Sequence, residues 1–101
     1  KNIKTLRGVA KEDLHIGKLV SNPATIDSRT ILDIQREHFE KQLDQAHLEG
    51  RRHVVFIHGI GSGQLKKLIH HHLNETPWVE GYALADPVEY GNGATMVTLE
   101  Q

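Results

Sequence analysis

The central run of the chain, Val54-Val55-Phe56-Ile57, is apolar and mostly β-branched, and it gives way to His58-Gly59-Ile60-Gly61-Ser62-Gly63. Leu65, Leu68, Ile69 and Leu73 then fall on one side of a helical pattern from about Gly63 to Glu75. Strand, Gly-rich turn and helix follow from that order. Upstream, Glu12-Asp13-Leu14-His15-Ile16 alternates polar and apolar and predicts a short strand, with Asp13 and His15 on one face and Leu14 and Ile16 on the other. Residues 17–26, with Ser21, Asn22 and Pro23, predict a loop. Asp27 or Ser28 then caps a helix running to about Glu49, whose Ile31, Ile34, Phe39, Leu43 and Ala46 form a stripe, and Gly50 stands where a C-terminal cap belongs.

After the second helix, Pro77 ends the element and Trp78 is placed as an anchor of the helix–strand junction. Residues 79–86 alternate as a strand, residues 87–92 connect, and Gly93 to Leu99 make the last strand. The order β-α-β-α-β-β predicts an α/β two-layer sandwich. A right-handed crossover makes one pair of strands parallel, the last two strands close antiparallel, and two helices cover one sheet face. Residues 1–11, with Ile3, Leu6 and Val9 spaced by three, are expected to be an arm or linker.

Composition narrows the partners. At 101 residues the chain is long enough for one domain and one core. Twelve Lys and Arg against 13 Asp and Glu argue against strong non-specific nucleic-acid binding, though not against a local basic patch. Cysteine is absent, which fits a cytoplasmic location, and there is neither a membrane-spanning apolar run nor a signal-peptide pattern. The chain begins with Lys1, so it is expected to be a piece of a larger parent protein.

Candidate chemistry gathers around the Gly-rich turn. The first amides of a helix lack intrahelical partners and lie at the positive end of its dipole, so a phosphate suits the turn from Gly59 through Gly61, Ser62 and Gly63. Neither G-x-x-x-x-G-K-[ST] nor G-x-G-x-x-G is present, which argues against a mononucleotide or dinucleotide cofactor site. Parallel neighbouring strands would bring Asp13 and His15 to the same edge as His58, and an antiparallel last strand would add Gly91, Gly93 and Thr95. A carboxylate beside an imidazole can orient it. His58 could equally donate to a backbone carbonyl at the strand end, and Thr95 could be a plain strand residue that satisfies a loop amide. Lys66, Lys67, His70 and His71 are expected on the exposed side of the second helix, and His38 and His47 on the solvated side of the first. Arg51 and Arg52 are expected as surface charges at the end opposite the turn. His70-His71-His72 is not read as a metal site, because adjacent helix positions differ by about 100° and cannot converge on one ion.

These stretches resemble the signatures of the Smr (small MutS-related) domain: Asp13-Leu14-His15, then Ile57-His58-Gly59-Ile60-Gly61-Ser62-Gly63 with Leu65-Lys66, then Gly91-Asn92-Gly93-Ala94-Thr95-Met96-Val97-Thr98-Leu99. The resemblance spans residues 12–101. It implies a four-stranded mixed sheet of order 1-2-4-3, with the three motifs on one edge. It also implies nucleic acid as partner, since members bind and nick nucleic acid and several cleave messenger RNA or act on stalled ribosomes. Carried over by position, Asp13 and His15 match the D-x-H pair implicated in cleavage. His58, Gly59, Gly61 and Gly63 match the H-G-x-G-x-G loop, Lys66 stands where many members have Arg, and Gly91, Gly93 and Thr95 match the last signature. Two departures bear on activity: Ile16 replaces the usual Gly after D-L-H and precedes a longer loop, and Ile60 stands where Lys is often found.

Two functions follow as expectations. The first is an endonuclease in which His15 is base, Asp13 orients it, and His58 is acid or phosphate contact, while Gly61 to Gly63 and Lys66 stabilise charge on phosphate. RNA is favoured because its 2′-OH is a built-in nucleophile. Nicking DNA requires an activated water, commonly metal-bound, and the sequence offers no convincing ligand set. No cofactor is expected. The second is a nucleic-acid- or ribosome-binding module without turnover, and a protein-interaction domain is a remoter third.

Overall fold

A computed structural model describes residues 9–101. Four strands, β1 (Ala10–Asp13), β2 (His53–Ile57), β3 (Val79–Leu84) and β4 (Ala94–Leu99), form one sheet of order β1-β2-β4-β3. β1 and β2 are parallel, with Asp13 opposite Ile57. β4 runs antiparallel to both β2 and β3. This is the α/β sandwich expected from the sequence, with the strand order that the family resemblance implies. The sites expected at one edge therefore meet, because the ends of β1 and β2 and the start of β4 lie together.

Two long helices, α2 (Ser28–Leu48) and α3 (Gln64–Asn74), cover one face. Asp27 is the N-cap of α2, its carboxylate accepting from the Thr30 amide at 2.8 Å. Phe39, Leu43 and Ala46 of α2 and Leu65, Ile69 and Leu73 of α3 pack on Val54, Phe56, Val97 and Leu99 of the sheet. Phe39 meets Phe56 edge to face, with ring centroids 4.7 Å apart. Truncating either ring to Ala costs about 3–5 kcal/mol, since the cavity left behind collapses only partly. On the opposite sheet face a smaller cluster of Val55, Ala85 and Ala94 lies against Ile57, Tyr90 and Met96.

The structure departs from the sequence reading in five places. β1 ends at Asp13 rather than Ile16, and Ile16 opens a one-turn helix, α1 (Ile16–Leu19). Leu14 is nevertheless fully buried and its amide reaches the Ile57 carbonyl at 2.9 Å, so the ladder runs one residue further than the strand. Within the expected 17–26 loop, Pro23–Thr25 forms a 3-10 turn. Residues 87–90, expected as connecting loop, form the one-turn helix α4 (Pro87–Tyr90), capped by Asp86. His47 is not simply solvated: it stacks on Trp78 at 3.9 Å, which ties the end of α2 to the helix–strand junction. His38 likewise lies within 4.0 Å of Glu12.

Arg52 bridges Glu80 and the Leu99 carbonyl at the sheet end away from the Gly turn, as its position before β2 predicts. Of the arm expected over residues 1–11, residues 1–8 lie outside the described residues, and Ala10 and Lys11 belong to β1. Among the described residues no helix is long and apolar enough to cross a membrane.

Candidate functional site

The site grows from the ends of three strands. Asp13 closes β1, and its carboxylate Oδ1 accepts from the His15 amide at 2.9 Å and meets His15 Nδ1 at 2.7 Å. A carboxylate only accepts, so Nδ1 carries a proton, and in the neutral ring Nε2 holds the lone pair. Partial burial pushes the Asp13 carboxyl up, but hydrogen bonds from the His15 amide and ring outweigh that and hold it below its ordinary value. The His15 side chain remains 56% exposed.

His15 Nε2 faces the backbone of Gly59. A Cβ on Gly59 would stand 2.8 Å from that nitrogen, and Gly59 has φ +79°, a region L side chains rarely adopt. Both facts demand glycine there. The Gly59 and His58 amides each donate to the Gly93 carbonyl at 2.9 Å. Gly93 is itself packed on Gly59, with its would-be Cβ 3.5 Å from the Gly59 Cα.

His58 is buried, and both of its ring nitrogens are engaged inside the fold. Nδ1 lies 2.8 Å from the Gly59 carbonyl, which only accepts, so Nδ1–H donates. Nε2 lies 3.0 Å from the Thr95 hydroxyl. Burial pushes the His58 imidazole below its ordinary value, the hydrogen bond to the Gly59 carbonyl opposes that, and the nearby Lys66 charge adds to the lowering. In the neutral ring Nε2 then accepts the Thr95 proton. Thr95 is buried, and its oxygen also receives His70 Nε2 at 2.9 Å. A directed chain thus runs from His70 through Thr95 and His58 to the Gly59 carbonyl.

That chain changes three readings. His58 takes the carbonyl-donating role that the sequence left open. Thr95 satisfies two imidazoles rather than a loop amide. His70, expected on the exposed side of α3, is half-buried and turned to Thr95, with its ring also on Tyr82 at 4.6 Å. Sequence reasoning missed His70 as part of the site. Neighbouring His71 is exposed, and His72 instead approaches Glu40 at 3.5 Å, so the three consecutive histidines diverge.

The turn from Gly59 to Gly63 then enters α3. Gly63 has φ +86° and supplies no side-chain cap, and the first intrahelical bond is Lys67 amide to Gly63 carbonyl at 3.0 Å. The Leu65 and Lys66 amides therefore precede the ladder without helical acceptors. Gln64 N–H reaches Ser62 Oγ at 3.3 Å. A groove of about 240 Å³ opens beside this turn, lined on one side by residues 58–66 and on the other by the start of α2. Gly91 is exposed and ends α4, its amide donating to Pro87, so it borders the site without lining the groove.

Comparison with known proteins places this geometry. A family model described as the Smr domain matches residues 32–100. The chain is 37% identical over 93 residues to the endonuclease MutS2 of Carboxydothermus hydrogenoformans, covering 91% of this chain and 12% of that protein. It is 41% identical over 61 residues to the endonuclease MutS2 of Clostridium tetani, covering 60% of this chain and 8% of that protein. The chain thus spans only a small part of the length of these relatives. Among solved structures, the Smr domain of Thermus thermophilus MutS2 superposes with a TM-score of 0.68 at 25% identity, over 92% of this chain and all of that one. YdaL, a stand-alone small MutS-related protein from Escherichia coli, shares the fold, with a TM-score of 0.61 at 23% identity over 91% of this chain and 65% of that one. From the match over residues 32–100 and the identity to MutS2 proteins, the chain belongs to the Smr domain family.

Proposed function

We propose that this domain binds a single strand of nucleic acid at the Gly turn and cleaves it, with RNA the favoured substrate. The observation that carries the reading is the exposed His15, whose Nδ1 is held by Asp13 and whose Nε2, without a hydrogen-bond partner among the described residues, faces the turn at Gly59. A base with a set lone pair, beside amides suited to a phosphate, is what cleavage by the 2′-OH requires.

In this reading His15 Nε2 takes the proton of the 2′-OH, the 2′-oxygen attacks phosphorus, and the 5′-oxygen leaves and is protonated by solvent. The products are a 2′,3′-cyclic phosphate and a 5′-OH end. Amides over Gly61 to Lys66 and the Lys66 ammonium hold the phosphate charge. His58 becomes a positioning residue rather than the acid, because both of its nitrogens are spent inside the fold. Gly93 and Thr95 support the turn from beneath, and Gly91 shapes the approach to Gly93.

A labelled RNA with a single 2′-deoxy position tests the reading. Cutting at every position except that one, with cyclic phosphate ends, supports it. Cutting at the 2′-deoxy position moves the assignment to water-based nicking, DNA included. Binding without cutting favours the module without turnover, for which the observation is that Ile16 starts a helix directly after His15.

A further inference from the structure

The groove beside the Gly turn is larger than a phosphate needs, and its far wall carries an apolar patch, Ile31 and Leu32. Ile31 and Leu32 of α2 line it between Ser28 and Gln35, Leu65 lines the turn side, and Ile60, 67% exposed, is part of the same lining. An exposed isoleucine on a loop of glycines and polar residues has no packing reason to be there. Gln35 also lines the groove, and its Nε2 is committed to the Leu14 carbonyl at 2.9 Å. That bond fixes which end of the amide is oxygen, and Gln35 Oε1 has no partner among the described residues. The groove thus combines apolar walls, one oriented acceptor and, at one end, the amides and Lys66 of the turn.

We propose that this groove is a nucleobase slot: it holds one base of the bound strand against Ile31, Ile60 and Leu65 while the adjoining phosphate rests on the turn. The proposal deepens the nucleic-acid reading above and rests on it. A purine ring offers flat apolar faces to the aliphatic walls, and the adenine amino group is a donor for Gln35 Oε1. The slot takes a base within a strand, because one side of the groove is open and the phosphate-binding turn forms part of its lining. Exposed Ile60 offers an apolar contact and no charge, which favours contact with a base over contact with the backbone.

The test is an NMR titration of the full chain with three probes: a short oligoadenylate, the same oligomer with its bases removed, and inorganic phosphate. The expected result is that all three move the amides of residues 61–66, while only oligoadenylate shifts the methyls of Ile31, Ile60 and Leu65. Oligoadenylate should bind roughly fivefold tighter than the abasic strand, the scale of burying part of one ring against aliphatic groups. Ile31→Gln, checked for folding by its own spectrum, should remove that difference and leave abasic binding unchanged. Amide shifts with unmoved methyls would overturn the base slot and leave the phosphate reading standing. No shift with any probe would overturn both.

Discussion

His15 Nε2 stands over the Cα of Gly59 so closely that a methyl group added there would lie 2.8 Å from it. The segments that follow two parallel strands are thereby held in a fixed relation, with the imidazole just after β1 and the turn just after β2. Gly59→Ala should displace the His15 ring and strain the turn at φ +79°. The expected outcome is a loss of cleavage together with about 1–3 kcal/mol of stability. Cleavage assays, denaturant unfolding and the His15 ring nitrogen resonances would report it.

Asp13→Asn separates orientation from packing. Its side chain keeps the shape but offers His15 Nδ1 no carboxylate. Cleavage should fall about a hundredfold or more, the scale of losing a correctly poised base, with RNA affinity unchanged. An unchanged cleavage rate would remove Asp13 from the orienting role. Because the Asp13 carboxyl is held below its ordinary value, near 3.8, its contribution to stability is present above that pH and is lost as pH falls through the lowered value.

Thr95→Val tests the chain beneath the turn. Valine fits the space but leaves His58 Nε2 and His70 Nε2 without the shared hydroxyl. Stability should drop by about 1–3 kcal/mol, the cost of unpaired buried polar groups, and Thr95→Ser should recover most of it. Denaturant midpoints of the three proteins give the comparison.

The same chain predicts acid sensitivity. Burial lowers the folded-state values of His58 and His70 below the ordinary 6.5. The unfolded chain therefore binds more protons in the window just below that pH, so stability should fall as pH drops from about 6.5 toward the lowered values. His70→Gln removes one titrating group, and its melting temperature should decline less steeply than that of the parent between pH 7 and pH 5. Parallel slopes would contradict burial of a neutral His70.

Much of this was readable in the chain, for physical reasons that differ by element. The strand–turn–helix from Val54 to Leu73 was legible because β-branched residues, glycines and a helical stripe change abruptly at residues 58 and 64. The one-turn helices at Ile16–Leu19 and Pro87–Tyr90 were not, since a single turn carries no period. The sheet order came from the family resemblance rather than from any pattern in the strands.

At the site, a signal for the His58–Thr95 contact was present. Val54, Phe56 and His58 alternate along one strand, and Thr95, Val97 and Leu99 along another, so both polar residues continue inward-facing series. His70 was harder, because it follows buried Ile69 at the edge of the apolar stripe, where rotation alone does not separate solvent from a neighbouring strand. The contact of His15 with Asp13 was foreseen from a shared strand face. It forms instead where the strand has ended, with the carboxylate also accepting the His15 amide.

The measurement that tests the central claim most directly is cleavage of a labelled single-stranded RNA in excess EDTA, by the parent chain and by His15→Ala. The account predicts cutting by the parent, loss of cutting in His15→Ala, and equal binding of RNA by both at low salt. Equal cutting by the two proteins would contradict His15 as the base. Absence of cutting by a parent that still binds RNA would contradict catalysis at this site.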